Sequence, residues 1–245
     1  MRSYAIGDIH GQLALLKDVH RWIEADRTRT GDQDAPVVHL GDLVDRGPDS
    51  AGVLRFLREG VAGGAPWVVL KGNHDRLFAR FVAAPDWRDP HLRDEISYLH
   101  PGIGGAETLI SYGLYRRSSF YIREAQQDAR GAIPPEDIAF LESRPLMHRH
   151  GAVLHVHAGI RPGVPLEAQE EQDLLWIREP FLSDARDHGP LVVHGHTTVK
   201  RAMHCRNRVN LDSGAAYGGP LTAVVIEDRR VWVLSAEGRA ALEPE

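Results

Sequence analysis

The chain has one cysteine, Cys205, among 245 residues, so it can form no intrachain disulfide. That suits a reducing compartment, and the cytoplasm is the expected location. Cys205 lies in Met203-His204-Cys205-Arg206-Asn207-Arg208, which reads as a polar turn or strand edge and a poor setting for a catalytic thiol. Surplus positive charge is missing as well. Lys plus Arg number 29 against 34 Asp plus Glu, a net charge of -5. The basic footprint of a nucleic-acid binder is absent, so nucleic acid is not an expected partner. No apolar run approaches the ~20 residues that span a bilayer. Met1-Arg2 leads straight into Ser3-Tyr4-Ala5-Ile6, too short for the apolar core of a signal peptide. No membrane partner is expected either. Internal repeats, low-complexity tracts and flexible linkers are lacking, and one domain over residues 1–245 is the simplest organisation. The rest of the composition, 42% hydrophobic and 26% charged, is ordinary for a globular chain able to bury a core.

What the chain does have is fourteen histidines and five short motifs in which metal-ligating side chains adjoin glycine. These are Gly7-Asp8-Ile9-His10-Gly11, Gly41-Asp42-Leu43-Val44-Asp45-Arg46-Gly47, Gly72-Asn73-His74-Asp75, His157-Ala158-Gly159 and Gly195-His196-Thr197. The first three each close a short apolar strand: Ser3 to Ile6, Pro36 to Leu40, and Trp67 to Leu70. Helical apolar spacing follows over Leu13 to Ala25 and Ser50 to Glu59, and Thr28 to Ala35 reads as a polar loop. This is the βαβ rhythm of an α/β protein, in which turns after strand C-termini gather at one edge. Residues of about 77–149 carry no metal motif. They hold Trp87, Tyr98, Tyr112, Tyr115, Phe120 and Tyr121, and read as a mostly helical cap, with one helix over Pro135 to Ser143. Strands return over Ala152 to Val156, Leu191 to Val193, Val209 to Leu211, Leu221 to Ile226 and Arg230 to Leu234. The last two form a hairpin around Glu227-Asp228-Arg229.

The motifs supply ligands for two divalent ions. Continued extended geometry would point Asp8 and His10 the same way. With Asp42 they would hold one ion. Asp42 has two oxygens and can bridge to a second ion held by Asn73, His157 and His196. Oxygen and nitrogen ligands without thiolate suit manganese, iron or zinc. Such a pair can bind a phosphate and an activated water. His74, beside Asn73, is the candidate general acid, with Asp45 orienting it. Arg46 would grip phosphate oxygens with its planar fork, and Arg178 would add a second clamp.

The first three motifs, with Pro48 closing the second, closely resemble the calcineurin-like metallophosphoesterases. Within that family they are similar to the phosphoprotein phosphatase branch, in its compact bacterial and phage serine/threonine form. The resemblance implies an αββα sandwich and a two-metal centre, often manganese in bacterial members. It also implies an Asp–His pair near the leaving group. Asp8, His10, Asp42, Asp45, Arg46, Asn73, His74, His157 and His196 match its motifs. The implied reaction is direct attack of metal-bound hydroxide on a phosphomonoester. The implied substrate is phosphoserine or phosphothreonine in a protein, or a small phosphoester, with Asn73 also facing the phosphate. Symmetrical diadenosine tetraphosphate hydrolases are the near alternative. His157-Ala158-Gly159-Ile160 and Leu211-Asp212-Ser213-Gly214 with Tyr217-Gly218-Gly219 are similar to theirs. The Asp45–Arg46 pair and the lack of room for their long C-terminal insertion favour the protein phosphatases. A non-catalytic scaffold for phosphorylated partners is the alternative outside enzymes, and it would not need His74 and Asp45. The oligomeric state stays open.

Other residues have plainer readings. Asp42 and Asn73 could cap helices. His20, His91, His148, His150, His188 and His204 read as surface or turn residues. His39, His155 and His194 lie inside apolar strands and are expected to form core hydrogen bonds and bind no metal. Trp87, Tyr98 and Tyr112 either line the substrate groove or pack within the cap. Glu167 to Asp173 reads as a solvated helix face.

Overall fold

The structure is a computed structural model, describing residues 1–84, 86–114 and 122–245. The chain opens with β1 (Arg2–Ile6), α1 (Leu13–Thr30), β2 (Val37–His39), α2 (Ser50–Ala62), β3 (Trp67–Val69) and α3 (Asn73–Ala83). β1 pairs in parallel with β2, and β2 with β3. After α4 (Gly105–Ser111), α5 (Ile122–Ala132) and α6 (Pro135–Glu142) the strands resume as β4 (Met147–His150) and β5 (Val153–Val156). Then come α7 (Glu171–Trp176), β6 (Leu191–His194), β7 (Met203–His204), β8 (Arg208–Asn210), β9 (Ala223–Glu227), β10 (Arg230–Ser235) and β11 (Gly238–Ala241).

Two sheets result, in the orders β11-β10-β9-β1-β2-β3 and β4-β5-β6-β8-β7. Strand alternation explains how they stack. Tyr4, Ile6 and Val37 face a core shared with Leu16, Val19, Ile23 and Leu54 of α1 and α2. Ala5, Val38 and Leu40 face the other way, onto Val153, Leu191, Val193 and Val209 of the second sheet. Leu154, Val156 and Val192 point to the far face of that sheet, where Leu174, Ile177 and Phe181 cover them. The layers are therefore helices, sheet, sheet and an outer layer of α7 with irregular chain. This is the α/β sandwich arrangement.

Several boundaries differ from those read in the sequence. α1 runs on to Thr30, into the expected loop, and ends where Gly31 adopts φ 70°. The left-handed residue, not the polar composition, stops the helix. The cap ends before residue 149, because Met147–His150 pairs antiparallel with β5. β4, β7 and β11 have no clear apolar alternation of their own, and pairing to stronger neighbours creates them. Glu167 to Asp173 is not one helix face: a 3₁₀ turn covers Leu166–Ala168 and α7 starts at Glu171. His20 and His204 are buried, not superficial. His20 lies on the buried stripe of α1, its Nε2 3.0 Å from that of His39. Tyr115, Phe120 and Tyr121 lie outside the described residues.

Candidate metal centre

The parallel strands of both sheets end on one edge of the sandwich. β1, β2 and β3 deliver Asp8, Asp42 and Asn73 there, and β5 and β6 deliver His157 and His196. The turns that follow are unusual. His10 (φ 44°), Asp42 (φ 49°), Asp45 (φ 73°), Arg46 (φ 67°) and His196 (φ 63°) are five of the seven non-glycine residues with positive φ among the described residues. Each such conformation costs about 1–3 kcal/mol and persists only where the surroundings enforce it. Here the enforcement is visible: the amides of Ile9 and His10 both donate to the Asp42 carbonyl, at 3.0 and 2.8 Å. The extended run through His10 expected from the sequence therefore does not occur; a left-handed turn aims its ring instead.

Two ligand clusters share Asp42. His10, Asp42 and His74 have ligand atoms within 4.8 Å of one another, and so do Asp42, His157 and His196. His74, read in the sequence as an acid only, thus sits within reach of the first cluster. His10 Nε2 is 3.5 Å from Asp42 Oδ2, and His157 Nε2 is 3.4 Å from Asp42 Oδ1. Asn73 Oδ1 lies 2.9 Å from His157 Nε2 and 3.0 Å from His196 Nδ1.

These contacts fit divalent ions. His10 Nδ1 donates to the Val44 carbonyl at 2.8 Å and His157 Nδ1 to the Leu40 carbonyl at 2.9 Å. Both Nε2 atoms are then left as lone-pair donors toward a metal. Burial pushes His10 down to about 3 and lowers His157, and it holds His196 well below the usual histidine range. Neutral imidazoles are the form that ligates. The result is a set of acceptors (Asn73 Oδ1, Asp42 Oδ1, His157 Nε2) facing one another, which a cation would reconcile. Asp8 accepts from the His196 amide through Oδ2 at 3.0 Å, while its buried Oδ1 has no hydrogen-bond partner. Burial, then the Asp212 and Asp42 carboxylates, push Asp8 well above the usual carboxylate range. An orphaned buried carboxylate oxygen at this point is a ligand atom in need of a positive charge.

Beside the clusters, His74 Nδ1 lies 2.7 Å from Asp45 Oδ2. Arg46 donates to His10 Nε2 (2.8 Å) and His74 Nε2 (2.9 Å), and its guanidinium lies 5.4 Å from the Tyr217 ring. Arg178 is on the exposed turn after α7, and its charge helps to lower His196, after burial and His157. The structure therefore brings together Asp8, His10, Asp42, Asp45, Arg46, Asn73, His74, His157 and His196, with Arg178 outside their contact network. His155 and His194 are buried away from the ligand clusters. His155 lies 3.3 Å from the His148 carbonyl, and His194 packs on Phe181 with ring centroids 5.1 Å apart.

Three residues given no role by the sequence reading belong to this neighbourhood. Asp75 accepts from the Gly72 and Leu43 amides at 2.7 and 2.9 Å, tying the third motif to the second. Asp212, after β8, is close enough to perturb Asp8; its signal was the Leu211-Asp212-Ser213-Gly214 run. Thr108, in α4, donates to Asp45 at 2.8 Å and stands in no motif. Of the three cap aromatics, Tyr98 is buried and donates to Asp45 at 2.5 Å, and Tyr112 donates to Asp137 at 2.8 Å. Trp87 packs against the guanidinium groups of Arg76 and Arg80.

Residues 1–225 match the family model described as calcineurin-like phosphoesterase. The chain belongs to that family, whose members use divalent metals to split phosphoesters. It is 29% identical over 238 residues to serine/threonine-protein phosphatase 1 of Salmonella typhimurium, covering 91% of each chain. It is 26% identical over 238 residues to the asymmetrical bis(5'-nucleosyl)-tetraphosphatase PrpE of Bacillus velezensis, covering 89% of this chain and 86% of that one. The crystal structure of a proposed diadenosine tetraphosphatase superposes with a TM-score of 0.65 at 23% identity, over all of this chain and 95% of the other. That last likeness concerns the fold. Among the described residues, no helix is long and apolar enough to cross a membrane.

Proposed function

We propose that this chain, folded as one domain, is a dinuclear metal-dependent phosphatase that hydrolyses phosphomonoesters, with phosphoserine and phosphothreonine in proteins as substrates. The observation that carries the reading is that Asp45 holds His74 at the edge of two clusters of ligand atoms that share Asp42. Asp8, His10, Asp42, Asn73, His157 and His196 would hold two ions, with manganese our first choice and iron or zinc the alternatives. Bound there, the ions supply charge neutralisation for the phosphate and an activated water. The remaining work falls to side chains. Arg46 has a rigid fork whose donors now rest on His10 and His74; turned to a phosphate, it would bind two oxygens. That movement frees His74 Nε2, while Nδ1 stays on Asp45. Once free, His74 Nε2 would take up a proton from water and pass it to the leaving oxygen as the P–O bond breaks. Arg178 would add charge at the mouth. The single cysteine supports a cytoplasmic setting.

One observation favours a second reading. Tyr217 is a large aromatic residue 66% exposed, next to Arg46. A nucleobase could stack on it, as hydrolysis of a dinucleoside tetraphosphate would require. The test is a side-by-side comparison on manganese-loaded protein of a phosphothreonine peptide and diadenosine tetraphosphate. A much higher kcat/KM on the peptide is expected. Preference for the dinucleotide would replace the first reading by the second. No turnover of either, or of an aryl phosphate, would leave only a binding scaffold.

A further inference from the structure

The cap reaches the centre at Asp45 and its neighbour Arg46. Asp45 is fully buried, and the hydrogen bonds of its carboxylate run to three groups. Oδ2 faces His74 Nδ1 at 2.7 Å. Oδ1 accepts from the Tyr98 hydroxyl at 2.5 Å and the Thr108 hydroxyl at 2.8 Å. The backbone beside it is held from the same side: the Asp45 amide donates to Thr108 Oγ1 (2.9 Å) and Ser50 Oγ (3.1 Å), and the Arg46 amide to the Gly104 carbonyl (3.0 Å). Both residues have positive φ, so this stretch relies on such contacts to keep its shape.

We infer that Tyr98 and Thr108 are positioning residues that lock the Asp45 carboxylate so that it holds the His74 ring ready to protonate the leaving group. A carboxylate with one free oxygen can rotate about its Cβ–Cγ bond and let the imidazole turn with it. Two hydroxyl donors on Oδ1 remove that freedom. Tyr98 is well placed for the task. Its ring packs on Phe81 (centroids 4.7 Å apart) and Phe78 (6.0 Å), so the hydroxyl is delivered by a rigid support. Gly105 lies against it: a Cβ there would come within 2.5 Å of Tyr98 Cε1. Burial, then the neighbouring Asp45 carboxylate, push the Tyr98 hydroxyl well above its usual range, so it remains a donor. The cap therefore does more than roof the cleft; it completes the acid by a contact that no motif encodes.

The inference rests on His74 acting as the acid, and leaving-group dependence separates the two. A phenolate, with a pKa of about 10 like the tyrosine hydroxyl, needs a proton to depart. A 2,4-dinitrophenolate leaves without one. Steady-state rates on phenyl phosphate and 2,4-dinitrophenyl phosphate would be measured for the metal-loaded wild type, Tyr98→Phe, Thr108→Val and Asp45→Asn. Tyr98→Phe keeps the ring packing and removes one hydroxyl. We expect its kcat on phenyl phosphate to fall by about ten- to a hundredfold. Its kcat on the dinitrophenyl ester should stay within about threefold, with metal content unchanged. Thr108→Val should show the same selectivity, and decides the matter if Tyr98→Phe does not fold. An equal loss on both esters, or none on either, would overturn the inference provided Asp45→Asn is selective. Should Asp45→Asn itself lack selectivity, the acid reading fails and takes this inference with it.

Discussion

Gly195→Ala should disable the centre without touching a ligand. A Cβ at this position would sit 1.8 Å from Asp8 Oδ1, 2.9 Å from Cγ and 3.4 Å from Oδ2. Gly195 does not have positive φ, so its backbone accepts alanine and the collision is with Asp8 alone. Relief to a contact of about 3 Å requires the carboxylate to move by at least ~1.2 Å. Asp8 is 2% exposed and its Oδ2 accepts from the His196 amide at 3.0 Å. Movement therefore breaks a charge-assisted hydrogen bond worth about 1.5–3 kcal/mol. It also withdraws Oδ1 from the ion that Asp8 is proposed to hold. A misplacement of this size near a reacting centre can cost about a hundredfold in rate. The assay is metal titration followed by calorimetry, with turnover of an aryl phosphate on the same samples. We expect one tight metal equivalent to be lost or weakened by about ten- to a hundredfold. Turnover should fall in step and recover in part at high metal. Two equivalents bound with wild-type affinity would show that Asp8 is not a ligand.

Asp45→Asn should lower kcat on phosphomonoesters with poor leaving groups by about 10²- to 10⁴-fold while two metals per chain remain bound, since Asp45 stands outside both ligand clusters; loss of a metal, by elemental analysis, would contradict this. Phe181→Ala should cost about 3–5 kcal/mol in urea unfolding, because the ring is fully buried and fills the space against Gly159 and His194; a cost below 1 kcal/mol would mean the outer layer is not packed as described. His155→Gln and His194→Gln should each retain two metals, and the loss of either would make one of them a ligand. Acid stability has a defined sign at His20. Burial, then the Arg27 charge, push it down to about 4, whereas an unfolded histidine titrates near 6.5. The unfolded chain binds the extra proton between those values, so stability is full above pH ~6.5 and falls as pH drops toward 4, by up to about 1.4 kcal/mol per unit. His20→Gln should flatten that slope in urea titrations at pH 4–7; an unchanged slope would assign the loss to other groups.

The centre was legible in the sequence to an uneven degree. Asp8, His10, Asp42, Asn73, His157 and His196 could be named as candidate ligands because ligation is a property of residue type. The strand-to-turn rhythm puts such types on one edge whatever the details of packing. Asp45, Arg46 and His74 were singled out by the chemistry of their side chains and by the resemblance of their motifs, and each lies within four residues of a proposed ligand. The way they converge was not. Continued strand geometry at Asp8 and His10 was the reasonable local expectation. Yet the left-handed backbone of His10, Asp42 and His196 depends on hydrogen bonds between separate motifs, such as the two amides held by the Asp42 carbonyl.

Burial depended even more on tertiary contacts. His20 looks like a surface histidine until α1 lies against β2 and sets it on His39. Tyr98 and Thr108 stand 53 and 63 residues beyond Asp45 in segments without a motif. No local pattern could assign them to its carboxylate. By itself the sequence determined which atoms can ligate and the alternation that sorts apolar residues among three cores. Tertiary structure alone decided which oxygen of each carboxylate is free, which backbone turns are held left-handed, and which part of the cap meets the centre. Ligand chemistry and strand period are local properties, written at one or two residues' range. Orientation is fixed by contacts between distant segments, and these exist only once the layers have packed.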